Sequence, residues 1–368
     1  MRIAVIGAGA FGSAAASKLA KNGFSVTLFE KEDRALQGAT KNSQNRLHLG
    51  LHYPRDLQTA KQSVIGFKSF MDTYRDAVNL NFPNYYGIPE SGSRVSPTDF
   101  ENFANTANIK IVPVEKKITE ELGLTLNHIS QVWKCDEGVI DMQVFEEILI
   151  DDLNKFGVEV RYGSEVTKVT KSDRNWIVLT KNGEERIFDF VVICTYSNNK
   201  ISIEVEEYKP REVVYQQTII QVLKSDASMF GLTIVDGDYL TILPKGFSNE
   251  QLAYGPTLST RRSERGTKSP EHWSPLGEVE IQDFQKKLSE RINFWISEWN
   301  YEFSQETLKT TRTIEPDVEA TDRRTSKITD ISEGLIEVWA GKIDHCVDIS
   351  ENILNTVRNY KNQGRLSI

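Results

Sequence analysis

The first thirty residues limit the fold more than any other part of the chain. Arg2–Ile6 is a short apolar run and reads as a buried strand, and Gly7-Ala8-Gly9-Ala10-Phe11-Gly12 follows it directly. Each glycine answers a separate need. Gly7 permits the tight turn, Gly9 lets a pyrophosphate approach the backbone, and Gly12 lets the next helix lie close on the strand. That helix is expected over residues 13–22, with Ala14, Ala15 and Ala16 toward the sheet and Gly23 ending it. Its first N–H groups have no intrahelical acceptor and so face the phosphates. Residues 24–29 form the second strand, which closes on Glu30, where a carboxylate accepts hydrogen bonds from adenosine ribose hydroxyls. Ala10, Phe11 and Lys31 flank these positions and join the expected cofactor contacts. The pattern specifies a dinucleotide without separating NAD from FAD. A second GxGxxG does not occur, which disfavours a reductase binding two nucleotides.

With 368 residues, 39% hydrophobic and 26% charged, the chain suits two interleaved globular domains rather than one core or a disordered polymer. A net charge of −8 argues against nucleic acid as the main partner. Cys135, Cys194 and Cys346 are scattered, with no CxxC pair, so neither a disulfide framework nor a metal site is expected and a reducing, cytoplasmic setting is. Residues 3–20 are apolar behind Arg2, but their fingerprint glycines and the polar helix end at Lys18 and Lys21 distinguish them from a leader. No stretch approaches the roughly 20 apolar residues of a membrane span.

Further along, an apolar stripe through Ala60, Val64, Phe67, Phe70, Met71 and Tyr74 predicts a helix over Leu57–Tyr74. Residues 81–136 change character, with four prolines and the aromatics Phe82, Tyr85 and Tyr86. Asp141 is placed as N-cap of a helix burying Phe145, Ile148, Leu149, Leu153 and Phe156. Strands follow at 158–162, 165–169 and 176–180, then a Lys181-Asn182-Gly183 turn into 185–190, and a fully apolar strand at 191–195. Residues 213–223 and 232–243, the latter turning at Asp236-Gly237-Asp238, alternate as antiparallel strands. Phe284, Leu288, Ile292, Trp295 and Trp299 share one helical face, read as core rather than membrane contact. Residues 260–276 read as the least ordered stretch. A strand at 334–339 precedes Ala340-Gly341-Lys342-Ile343-Asp344, a second glycine turn into a helix from about Asp348.

The run from Arg2 to Glu30, with the small and polar residues from Gly38 to Asn45 and the ending His48-Leu49-Gly50-Leu51-His52-Tyr53, resembles the D-amino acid oxidase superfamily of flavoenzymes. Its 2-hydroxyglutarate dehydrogenase branch has a similar His-x-Gly-x-x-Tyr ending. The resemblance is firm over 1–53, fair over 138–195 and 335–355, and poor across the substrate domain. It implies FAD rather than NAD, with Asn45, Arg46 and Leu47 passing the flavin, and Val166, Thr195, Gly341, Lys342, Ile343 and Asp344 as further cofactor contacts. Lys342 would supply positive charge near the flavin pyrimidine. Two departures stand out. Cys194-Thr195-Tyr196-Ser197-Asn198 replaces the family's usual Thr-Gly, and Asp322-Arg323-Arg324 replaces its common small-residue run.

Oxidising a C–H bond at a flavin mainly requires positioning, plus a group to take the O–H or N–H proton. His48 occupies the position matching the family's histidine and is the first candidate, as base, flavin-orienting group or covalent anchor. His52 and Tyr53 are weaker candidates for the same wall. A substrate carboxylate would be met by a guanidinium, from Arg46, Arg55 or Arg312, and Tyr239 loosely matches a substrate-facing tyrosine in relatives.

The expected architecture is α/β, with a Rossmann-type FAD-binding domain (1–80, 138–200 and 320–368) interleaved with a mixed α+β substrate domain (81–137 and 201–319). The expected activity is removal of a hydride from a CH–OH or CH–NH substrate, small and carboxylate-bearing or sugar-like, with oxygen or another molecule as electron acceptor. The alternatives are a flavin-dependent sugar-nucleotide mutase or tailoring enzyme, and a non-catalytic FAD-binding protein.

Overall fold

The structure is a computed structural model that describes residues 1–366 apart from 115–121, 123, 199, 207, 238 and 322. Asp238 and Asp322 therefore lie outside the described residues. Six strands form the nucleotide-side sheet, in the spatial order Glu159–Arg161, Ser25–Phe29, Arg2–Ile6, Phe190–Ile193, Leu335–Trp339 and Lys327–Ser332. The first five run parallel, and Lys327–Ser332 adds an antiparallel edge.

Alternation along Arg2–Ile6 explains why the strand is apolar throughout. Ile3 and Val5 face one core with Leu19, Leu149, Leu153, Ile353 and Val357 of the helices Ala10–Lys21, Met142–Lys155 and Cys346–Leu366. Ala4 and Ile6 face the opposite core, against Val169, Trp176, Val178 and Phe188 of an antiparallel meander. A strand covered on both faces has no solvent side to make polar.

The second large sheet contains nine strands among the described residues, and the helix Glu278–Trp295 covers it through Phe284, Leu288, Ile292 and Trp295. Trp299 is buried with them but lies beyond the helix end, where the chain has turned into the short strand Ile296–Ser297. Residues 232–243 form a hairpin, Gly231–Ile234 against Thr241–Pro244. Thr260–Gly266, in the stretch expected to be least ordered, is instead a strand paired with residues 213–218. Its charged side chains suit a sheet edge and disguise the backbone ladder.

Three short strands join the layers. Arg46–Leu47 and Val78–Asn79 both pair with Gly138–Ile140, so residues distant in sequence meet where the two large sheets approach. Asp141 caps its helix as expected, accepting from Gln143 N and Val144 N at 3.0 Å each. No helix among the described residues is long and apolar enough to cross a membrane.

Candidate active site

A cavity of about 460 Å³ runs from the glycine turn to the second sheet. At its first end, Gly7, Gly9, Ala10, Phe11, Glu30 and Lys31 line the wall. Glu30 accepts from Ala8 N at 2.7 Å and from Glu32 N at 3.0 Å, one bond to each carboxylate oxygen, which leaves each with a further lone pair. The helix Ala10–Lys21 has Gly9 as N-cap with no side-chain cap, and its first amide, Ala10 N, donates to Thr40 Oγ1 at 3.3 Å, while the amides that follow in the first turn lack an intrahelical acceptor, as an anion site requires.

Two of the fingerprint glycines answer to different constraints. A Cβ on Gly12 would fall on the Gly7 carbonyl oxygen, so that glycine is required by the fold itself and does not line the cavity. A Cβ on Gly9 would meet nothing closer than Thr40 Oγ1 at 3.4 Å. The fold leaves room at Gly9 for a group from outside.

Along the middle lie Asn45, Val166, Thr195, Gly341 and Ile343. Tyr196, at the point of departure from Thr-Gly, also lines the cavity, and its hydroxyl accepts from Thr313 N at 3.2 Å. Two expected contacts fall elsewhere. Leu47 is fully buried in the helix-side core, because its strand pairing with Gly138 turns its side chain away from the cavity. Asp344 is also absent from the lining, since the single turn Ile343–His345 points its carboxylate inward, at zero exposure.

The far end gathers Arg46, His48, His52, Tyr53, Tyr239, Arg312, Arg324 and Lys342. His48 is buried, and neither ring nitrogen has a hydrogen-bond partner among the described residues. Burial, then the charges of Lys342 and Arg46, hold its pKa well below the ordinary histidine value, so the ring is neutral. Its ring packs edge-on to His52 at 4.4 Å between centroids. Lys342 Nζ sits 3.3 Å from His52 Nε2 and 4.5 Å above the Tyr53 ring, and burial with Arg324 nearby depresses it well below the usual lysine range.

Of the three candidate arginines, Arg55 donates to Asp236 at 2.9 Å and does not line the cavity. Arg46 donates to the Tyr86 hydroxyl at 2.9 Å and to Thr233 Oγ1. Arg312, opposite Gln216 on the strand Tyr301–Ile314, donates through Nε to Gln216 Oε1 at 2.9 Å, and its guanidinium lies 5.6 Å from the Tyr254 ring centroid. It has no carboxylate partner among the described residues, so its outer nitrogens face the cavity uncompensated.

The expectations drawn from sequence omitted Tyr86 and Glu137. Tyr86 donates to Glu137 Oε2 at 2.7 Å, and Leu49 N donates to Glu137 Oε1 at 2.7 Å, linking Arg46 to a buried carboxylate. Glu137 stands just before a strand residue run and carries no motif that would single it out.

The description "FAD dependent oxidoreductase" (DAO) belongs to the family whose profile matches residues 2–300. The chain is a member of this family. Among curated relatives, the FAD-dependent monooxygenase FPY4 of Fusarium mangiferae is 24% identical over 96% of this chain and 90% of its own length. The FAD-dependent monooxygenase kojA of Aspergillus flavus is 22% identical over 96% of this chain and 85% of its own. Glycine oxidase from Geobacillus kaustophilus superposes with a TM-score of 0.73 at 13% identity, covering 98% of this chain and 95% of that one. L-α-glycerophosphate oxidase from Mycoplasma pneumoniae, with FAD bound, gives 0.74 at 16% identity, covering 97% and 94%. The cofactor of this family member is FAD, and the approach at Gly9, the N-terminus of the helix Ala10–Lys21 and the carboxylate of Glu30 suit its pyrophosphate and adenosine. Membership makes the protein an oxidoreductase, which removes the non-catalytic reading and leaves the mutase without support.

Proposed function

We propose that the enzyme withdraws a hydride equivalent from a CH–OH or CH–NH bond of a small carboxylate-bearing or sugar-like molecule and passes the electrons to oxygen or another acceptor. FAD, when bound, supplies the hydride acceptor of its flavin ring. We assign the stretches 1–80, 138–200 and 320–368 to holding it, and 81–137 with 201–319 to the substrate. Gly7, Gly9, Ala10, Phe11, Glu30 and Lys31 hold the adenosine and pyrophosphate part; Asn45, Arg46, Val166, Thr195, Gly341, Lys342 and Ile343 line the remainder. The three buried free cysteines fit a reducing cytoplasm.

The observation that carries the reading is His48: a neutral imidazole, buried and without hydrogen-bond partners among the described residues, in the same cavity that begins at the glycine turn. Arg312 offers its outer nitrogens to a carboxylate, which it binds in a bidentate fork. Tyr239 and Tyr53 wall the space between. In the free protein burial first, and then the charges of Lys342 and Arg46, keep a proton off His48. A bound substrate carboxylate offsets those cations, so His48 gains basicity when there is a hydroxyl proton to accept. An anaerobic screen of small acids, amines and sugars tests the proposal: one class should bleach the yellow protein, and no bleaching by any of them overturns it.

The names of the two fungal relatives, which share nearly the whole chain, favour a second reading in which an oxygen atom enters the product. Turnover under ¹⁸O₂ separates the two, because label appears in the product only for a monooxygenase.

A further inference from the structure

Asp344 lies behind His48 rather than in the cavity, at zero exposure, and neither carboxylate oxygen has a hydrogen-bond partner among the described residues. Two imidazoles flank it. His48 Nε2 is 3.8 Å from Oδ1, and His345 Nε2 is 4.0 Å from Oδ2. Hydrogen bonds in catalytic sites are commonly long before ligands bind and tighten with them.

The protons of this cluster follow from Ser326. Its hydroxyl oxygen accepts from Gly341 N at 2.8 Å and from Lys342 N at 3.4 Å, and its remaining neighbour is His345 Nδ1 at 2.8 Å. An oxygen already accepting two amide protons directs its own hydrogen to the third neighbour, so His345 Nδ1 is an acceptor. His345 is held neutral by burial, its pKa pushed down to about 3, so its proton resides on Nε2, facing Asp344. One carboxylate oxygen is thereby matched to His345, and the other is left for His48.

We infer that Asp344 is a positioning residue, the centre of a Ser326–His345–Asp344–His48 chain that fixes His48 with its proton on Nε2 and its Nδ1 lone pair free. This rests on the proposed role of His48, whose useful form has a ring nitrogen able to accept the substrate proton. A carboxylate behind a histidine selects the tautomer and the ring orientation. The chain also connects the Gly341-Lys342 turn, which lines the cavity, to the imidazole across it.

Histidine tautomers are read directly from long-range ¹H–¹⁵N spectra of the ¹⁵N-histidine holoprotein at pH 8.5, with the His48 signals assigned through a His48→Asn variant. Both His48 and His345 are expected as Nε2–H tautomers. In Asp344→Asn one oxygen becomes an amide donor. Because Ser326 still fixes His345, that donor faces His48 Nε2 and moves its proton to Nδ1. Flavin reduction should then slow by on the order of 10²-fold with FAD retained. Ser326→Ala provides the second variant: His345 should lose its single tautomer while His48 keeps Nε2–H. Finding the His48 proton on Nδ1 in the parent, or unmoved in Asp344→Asn, overturns the inference whatever the rates do. A tautomer that moves with no change in rate leaves the chain intact and overturns the role proposed for His48.

Discussion

The Tyr86 hydroxyl lies 2.7 Å from Glu137 Oε2, joining two buried groups 51 residues apart in sequence. Gly138–Ile140 pairs with Arg46–Leu47 while Asn84–Pro89 pairs with Ile129–Cys135, and the two ladders bring Glu137, Tyr86 and Arg46 together. Burial pushes the Glu137 carboxyl up and Arg46 opposes it, so the arginine is anchored from behind by a group that substrate cannot reach.

Tyr86→Phe removes that anchor. Arg46 Nη1 and Glu137 Oε2 would each lose a partner without gaining water, which costs roughly 1–3 kcal/mol. Chemical denaturation should report a loss of that size with an unchanged denaturant slope. A variant as stable as the parent would mean that water or another group replaces the phenol.

The glycine turn gives two distinguishable outcomes. Gly12→Ala collides with the Gly7 carbonyl and should reduce folded yield, because the helix cannot approach the strand. At Gly9 a Cβ meets only Thr40 Oγ1, at an ordinary contact distance of 3.4 Å, so Gly9→Val should give a folded protein that has lost its yellow colour. Glu30→Ala should lower FAD occupancy less severely, by removing hydrogen bonds worth about 1–3 kcal/mol. Circular dichroism and the flavin-to-protein absorbance ratio report fold and occupancy separately.

The pattern of glycines, strands and caps was legible because each depends on neighbours in sequence. The Rossmann opening, the helix Leu57–Tyr74 and the Asp141 cap are local decisions of backbone and solvent exposure. Glu137, Tyr86, Ser326 and His345 were not legible, since each acquires its role from a partner in another segment. Asp344 shows the same limit from the other side: its place after Lys342 suggested a cofactor contact, but one turn of helix at Ile343–His345 reverses its direction.

The pH dependence of stability follows from Asp344. Burial raises its carboxyl to about 7 from an ordinary 3.8, while Lys342 opposes and Glu137 and Asp348 add to the rise, with His48 and His345 packed on either side. The folded protein therefore binds a proton that the unfolded chain releases between those values, and stability falls as pH rises through that window. Asp344→Asn carries no charge to bury. It should be more stable than the parent at pH 8, with the difference vanishing below 3.8, the lower bound of that window. Thermal melts across this range would contradict the assignment if the two proteins stayed parallel.

Arg312→Met tests the carboxylate fork. Arg312 retains its Nε bond to Gln216 but has no acidic partner among the described residues, so its outer nitrogens are available to a ligand. Losing hydrogen bonds to a charged group costs about 1.5–3 kcal/mol, equivalent to roughly 10- to 150-fold in affinity. The loss should fall on the Kd of a carboxylate substrate measured by flavin perturbation, and a neutral sugar should be unaffected. Equal weakening of both would place Arg312 in the scaffold.

His48→Ala should slow flavin reduction far more than it weakens FAD binding. The imidazole is neutral, buried and without partners among the described residues, so removing it breaks no hydrogen bond that the fold relies on. A positioned base commonly contributes about 10²–10⁴ in rate. The loss should be greater for an alcohol than for a neutral amine, whose proton leaves more readily. Stopped-flow reduction at saturating substrate isolates this step from binding and from reoxidation. Reduction at the parent rate would make His48 a packing residue and direct attention to His52, which lies 3.3 Å from Lys342 in the same wall. Acid precipitation adds an independent check, because a flavin that stays with the parent polypeptide but leaves the variant would make His48 a covalent anchor.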